Sequence, residues 1–219
     1  MMRPAAILFD MDGLMLDSEC LYQAAWQTTA RELGYELDDA LYLSVVGRSN
    51  TEAEETFITV FGSDFPAATF RQRSELYWRQ LVQSQGIPLK PGLLALLDWI
   101  EQQALPKAVG TSSNLPEAEL CLSAVGIRDR FSTVVTVDQV AAGKPEPDIF
   151  LEAAKRLGVA PAQCLVLEDS NAGVQAAQSA GMSAVMVPDL QSPTAASKAI
   201  ALEIFPSLHE VLVWLQQGV

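Results

Sequence analysis

From about residue 88 onward the chain alternates short β-rich runs with helical stretches, and few folds accommodate that alternation. "KAVGTSS", "TVVTV", "CLVLEDS" and "SAVMVPD" read as buried strands. Between them lie "PEAELCLSAVG", "PEPDIFLEAAKRLG" and "NAGVQAAQSAG", helical in period and closed by Gly126, Gly158 and Gly181. Strand–helix alternation of this kind predicts a doubly wound parallel α/β sheet with helices on both faces. "ILFD" near the start supplies one more strand.

Residues from about 17 to 86 have another texture. "SECLYQAAWQTTARELG", "TEAEETFITVFG" and "PAATFRQRSELYWRQLVQSQG" are helical in period with no convincing strand between them. Helices inserted after the first strand of a parallel sheet predict a small α-helical cap domain over residues 16–87. Residues 1–15 and 88–219 then form the α/β core. "GLMLDS" leads out to the insert and "GIPLKPG" leads back. Trp26, Tyr77 and Trp78 are expected in the helical core rather than on a substrate platform.

Open parallel sheets carry their sites at the carboxyl ends of the strands. The first strand ends at Asp10, with Asp12 two residues on. "KAVGTSS" ends at Thr111, Ser112 and Ser113. The loop after "TVVTV" reaches Lys144, and "CLVLEDS" ends at Glu168 and Asp169. Four carboxylates against one lysine repel one another unless a cation compensates. Mg²⁺ suits such hard oxygen donors, keeps several waters and commonly shares its shell with a substrate phosphate. Lys144 and the Thr111 hydroxyl suit phosphoryl oxygens, joined by backbone N–H groups around Ser112. A strand-end carboxylate can be a nucleophile that forms an aspartyl-phosphate, the role expected of Asp10. Asp12 is then placed to protonate the leaving alcohol and activate water.

"DMDGLMLDSE", "TSSN", "GKPEPDIF" and "LEDSNAG" resemble, in order, the four signature motifs of the haloacid dehalogenase superfamily. More narrowly they resemble its helical-cap phosphatase branch, that of β-phosphoglucomutase-like enzymes and of pseudouridine-5′-phosphate and sugar-phosphate phosphatases. The resemblance implies Asp10 as nucleophile and metal ligand, and Asp12 as acid/base with its backbone carbonyl on Mg²⁺. It implies Asp169 as the second metal carboxylate, Thr111 as phosphate ligand, Lys144 as charge clamp, and Glu168 as support for the metal or Lys144. Ser112, Ser113 and Asn114 either support the phosphate site or cap the next helix. In the cap, Tyr22, Gly47 and Arg48 are candidate substrate contacts, although "GRSN" reads equally as a helix start with Asn50 as N-cap. A mutase of this branch carries histidine where this chain has Tyr22, so a hydrolase is favoured over a phosphosugar mutase. A phospho-receiver signalling domain uses similar groups, but puts its acidic pair on the first strand and has no cap.

The expected function is Mg²⁺-dependent hydrolysis of a small phosphorylated metabolite, a sugar phosphate or a nucleoside or pseudouridine monophosphate. A net charge of −13 disfavours nucleic acid and anionic lipid as partners. No apolar run approaches 18 residues and no leader opens the chain, so a soluble cytoplasmic protein is expected, and nothing in the sequence demands more than a monomer. Cys20, Cys121 and Cys164 show no disulfide or zinc spacing and are expected in the core. The single histidine, His209, is expected on the surface of a C-terminal helix.

Overall fold

The computed structural model describes residues 4–46 and 50–218. The order begins with β1 (Ala6–Phe9) and four helices, α1 (Glu19–Glu32), α2 (Asp39–Val45), α3 (Asn50–Phe61) and α4 (Ala67–Gln85). α5 (Leu93–Gln102), β2 (Lys107–Thr111), α6 (Leu115–Ala124) and β3 (Thr133–Thr136) follow. Then come α7 (Asp148–Leu157), β4 (Cys164–Glu168), α8 (Asn171–Ser179) and β5 (Ser183–Met186), and last α9 (Ala195–Ile200), β6 (Glu203–Ile204) and α10 (Leu208–Gln216).

All the strands pair in parallel, in the order β3-β2-β1-β4-β5-β6. The chain therefore winds outward on one side of β1 and then crosses to wind outward on the other. Next to β1 the connections leave in opposite directions, which opens a crevice at the carboxyl edge. The register Phe9↔Leu167 sets Asp10 level with Glu168. Every residue of β1 is buried, as a central strand covered on both faces requires. Leu8 and Val166 pack with Ile149 and Phe150 of α7 and Val174 of α8 in one apolar cluster. Phe9 meets Phe131 edge to face at 5.8 Å. β6 was not expected from the sequence; a two-residue edge strand carries no periodic signal.

The chain divides into two compact units, residues Met1–Asp17 with Pro88–Val219, and Ser18–Ile87. Leu16 and Asp17, assigned above to the helical insert, belong to the α/β unit. Leu16 bridges Leu89, and the Asp17 N–H donates to the Pro88 carbonyl at 2.8 Å. The outgoing and returning segments thus pair side by side. The Ser18–Ile87 unit is built on the packing of α1 against α4 and on an aromatic cluster. Trp26 meets Tyr42, Phe57 and Phe70 edge to face, and Trp78 is fully buried. Among the cysteines, Cys121 and Cys164 are buried but Cys20 is exposed, on the solvent side of the first turn of α1. His209 is exposed in the first turn of α10. No helix among the described residues is long and apolar enough to cross a membrane.

Candidate active site

Asp10 leaves the end of β1 with its N–H donated to the Leu167 carbonyl at 3.0 Å, so the backbone of β4 fixes its direction. Its side chain is buried and pairs with the Lys144 ammonium. Lys144 also donates to Glu168 Oε1 at 2.6 Å and sits 4.9 Å from the centre of the Phe150 ring, a cation–π contact. Glu168 is fully buried, and its second oxygen accepts from the Ser170 N–H at 2.8 Å and hydroxyl at 2.9 Å. Both of its oxygens are therefore engaged, one holding Lys144 and one holding the turn into α8. Asp169, the next residue, offers a carboxylate oxygen that lies, with one each from Asp10 and Glu168, in a group within 4.8 Å of one another.

The charges of this cluster are out of balance. Burial pushes the Asp10 carboxyl up to about 8; Lys144 opposes the rise and Glu168 adds to it. Burial likewise raises Asp169 well above the usual carboxylate range, with Glu168, Asp10 and Asp189 adding repulsion. Lys144 moves the other way from a typical buried lysine. Burial alone would lower it, but Asp10 and Glu168 outweigh that and hold it as an ammonium. The donor set fits a small hard cation: carboxylate oxygens close together, two of them short of positive charge. With Glu168 occupied by Lys144 and Ser170, Asp10 and Asp169 are the carboxylates that would face an ion.

Asp12 lies in the turn after β1, where the Ser113 hydroxyl donates to its Oδ2 at 2.8 Å. Gly13 follows with φ of 81°, a left-handed conformation that suits glycine. A Cβ there would stand 2.4 Å from Asp169 Oδ2, so the turn also needs a residue without a side chain. Thr111, at the end of β2, is buried, and its hydroxyl accepts from the Ser113 N–H at 3.0 Å. Ser112 is exposed beside it. Asn114 is the N-cap of α6, in a reciprocal capping box with Glu117, which favours the capping alternative for this residue. The α/β unit thus brings Asp10, Asp12, Thr111, Ser113, Lys144, Glu168 and Asp169 to one edge. Tyr22 lies in the other unit, stacked on Trp78 with ring centres 5.0 Å apart. Gly47 and Arg48 lie outside the described residues.

Sequence reasoning passed over three residues at this edge, Asp17, Lys90 and Asp189. Lys90 donates to Asp189 Oδ1 at 2.6 Å and to Asp17 Oδ1 at 3.2 Å. A signal was present for one of them: "SAVMVPD" runs into an aspartate just as the first strand does.

Fold and site together define a doubly wound α/β enzyme with a carboxylate–lysine centre at its switch point. The chain belongs to the haloacid dehalogenase-like hydrolase family, whose pattern matches residues 4–181. It is 36% identical over 187 residues to the fructose-1-phosphate phosphatase YqaB of Escherichia coli, a match covering 84% of this chain and 97% of that protein. It is 34% identical over 189 residues to the β-phosphoglucomutase of Bacillus subtilis, covering 83% and 82%. Among solved structures, CbbY from Rhodobacter sphaeroides in complex with phosphate superposes with a TM-score of 0.83 at 28% identity, over 95% of this chain and 96% of that one.

Proposed function

We propose that the protein is a Mg²⁺-dependent phosphatase that hydrolyses a small phosphorylated carbohydrate or related metabolite through a phosphoryl group carried on Asp10. The observation that carries this reading is the rigid aim of the buried Asp10 carboxylate at the switch point, with Lys144 against it and Asp169 beside it. The family membership and the phosphatase and phosphomutase names of the relatives support the same chemistry.

In the proposed reaction a carboxylate oxygen of Asp10 attacks phosphorus, and the bond from phosphorus to the ester oxygen breaks. Asp12 delivers a proton to that leaving oxygen, then takes one from the water that attacks the phosphoryl-aspartate. Phosphate leaves and the Asp10 carboxylate is restored. The Lys144 ammonium, paired with Asp10 when no phosphoryl group is present, serves the phosphoryl oxygens, as does the Thr111 hydroxyl. Glu168 holds Lys144 in place. Asp10, the Asp12 backbone carbonyl and Asp169 would hold Mg²⁺, which supplies charge neutralisation for the phosphoryl oxygens when bound.

A mutase reading has relatives in its favour, the β-phosphoglucomutase of Bacillus subtilis among them. Against it stands Tyr22, which lies flat on Trp78 where the mutase resemblance calls for a histidine. A phenol does not exchange protons near neutral pH as an imidazole does.

The test is phosphate release from a panel of sugar, polyol and nucleoside monophosphates, with Mg²⁺ and with chelator, alongside Asp10→Asn. Release should need Mg²⁺ and fall by roughly a thousandfold or more in Asp10→Asn, the loss expected when a covalent route is removed. Near-normal turnover by folded Asp10→Asn rules the reading out. Isomerised sugar phosphate without net phosphate release, followed by ³¹P NMR, moves the assignment to a mutase.

A further inference from the structure

Asp189 follows β5 at the same edge as the site but belongs to none of its motifs. The Val187 N–H donates to the Glu168 carbonyl at 2.7 Å, so the chain leaving β5 runs alongside Glu168 and Asp169. Lys90 Nζ donates to Asp189 Oδ1 at 2.6 Å, with the two side chains only 18% and 15% exposed. The other oxygen, Oδ2, is buried and has no hydrogen-bond partner. Buried carboxylate oxygens are rarely left so, because an unmade hydrogen bond forfeits the desolvation it took to bury the group.

What Oδ2 faces can be located from Gly13. A Cβ built there would lie 2.4 Å from Asp169 Oδ2 and 3.4 Å from Asp189 Oδ2, so both oxygens border the same space beside Gly13. Asp189 does not join the group of Asp10, Glu168 and Asp169 whose oxygens are close enough to share an ion. It stands one shell further out. A water on Mg²⁺ sits about 2.1 Å from the ion and reaches its acceptor at about 2.7 Å, so a carboxylate beside the ligands but outside their group can be met through such a water. Charge points the same way. Asp10, Glu168, Asp169 and Asp189 share Lys144 and Lys90, and Lys90 is itself divided between Asp189 and the half-exposed Asp17.

We propose that Asp189 is a positioning residue for the divalent cation: Oδ2 accepts a hydrogen bond from a water on the ion, and Lys90 fixes the carboxylate through Oδ1. The proposal rests on the reading above that Asp10 and Asp169 hold that ion. Carboxylates that orient metal-bound groups from outside the coordination shell commonly change metal affinity by about 10–100-fold when altered.

The test uses Mn²⁺ alone as probe, without substrate, with free Mn²⁺ followed by electron paramagnetic resonance at pH 8. Wild type, Asp189→Asn and Asp17→Asn are compared, and the melting temperature of each metal-free protein is recorded. Asp189→Asn should raise the Mn²⁺ Kd by about 10–100-fold. Asp17→Asn should leave it within about twofold, since half-exposed ion pairs contribute little. An unchanged Kd in Asp189→Asn overturns the proposal, and so does equal weakening in Asp17→Asn, which would assign the effect to the salt-bridge latch. If Asp189→Asn does not fold, Lys90→Met leaves the carboxylate present but unanchored, and an unchanged Kd there overturns the proposal equally. Failure of wild type to bind Mn²⁺ would instead refute the metal reading itself.

Discussion

At Asp10 burial and charge conflict, and the conflict has a measurable sign. The folded chain keeps a proton on Asp10 up to about pH 8, whereas the unfolded chain releases it near 3.8. Where the folded state binds more protons, stability falls as pH rises. In the absence of metal the Asp10 contribution is therefore intact below about pH 4 and is lost as pH climbs to about 8. Asp10→Asn has no such titration. In chelator, the wild-type melting temperature should drop more steeply between pH 5 and pH 8 than that of Asp10→Asn, leaving the variant the more stable at the upper end. Parallel pH profiles would show that Lys144 compensates Asp10 fully in the folded protein. That Asp10, Lys144 and Asp169 come together at one edge was legible in the sequence, because each ends or follows a buried strand. Asp189 also follows a buried strand, but its tie to the site was not legible, because its pairing with Lys90 joins residues 99 apart.

At the scale of elements, the junction of β4 and α8 sets the geometry around Lys144. Ser170 is the N-cap of α8, its hydroxyl accepting from the Gly173 N–H at 3.0 Å while donating to Glu168. The first turn of α8 is thereby laid directly on the Glu168 carboxylate. A Cβ at Gly173 would stand 1.8 Å from Glu168 Oε1, an impossible contact. By helix propensity alone, Gly173→Ala should stabilise α8 by about 1 kcal/mol. The close approach decides otherwise. The carboxylate must move, and the lysine it anchors moves with it. If Lys144 serves the phosphoryl oxygens as proposed, a shift of roughly 1 Å there can lower kcat by about a hundredfold. Steady-state kinetics on folded Gly173→Ala, with circular dichroism as the folding control, should show that loss. Wild-type kcat would mean that Glu168 does not position Lys144. The sequence made the strand–helix alternation plain, since buried parallel strands read as short apolar runs. It did not reveal why residue 173 is glycine, because that reason is a contact with a side chain rather than a turn.

At the scale of the whole molecule, the helical insert was legible from its unbroken helical period, and its boundary was misjudged by two residues at Leu16 and Asp17. The reason is that backbone pairing with residues 88–90, not periodicity, ends the α/β unit there. Within that unit, the proposed metal binding would be coupled to folding through protons. An ion on Asp10 and Asp169 must displace the protons that burial places there, so its affinity rises with pH. A ligand that binds only the folded state stabilises it by about 2.7 kcal/mol at a hundred times its Kd. For a chain of this size each kcal/mol is worth roughly 2–4 °C in melting temperature. Differential scanning calorimetry with saturating Mg²⁺ and with chelator should therefore give an increment of several degrees at pH 8 and a much smaller one at pH 5.5. The difference follows from a metal-free Asp10 that remains largely protonated at the lower pH and is about half ionised near 8. The same experiment on Asp10→Asn should weaken that pH dependence without abolishing it, and keep part of the increment, because Asp169 remains and is itself raised by burial. An increment that does not change with pH in the wild type would mean that the ion does not compete with a proton on Asp10, and would remove Asp10 from the metal site.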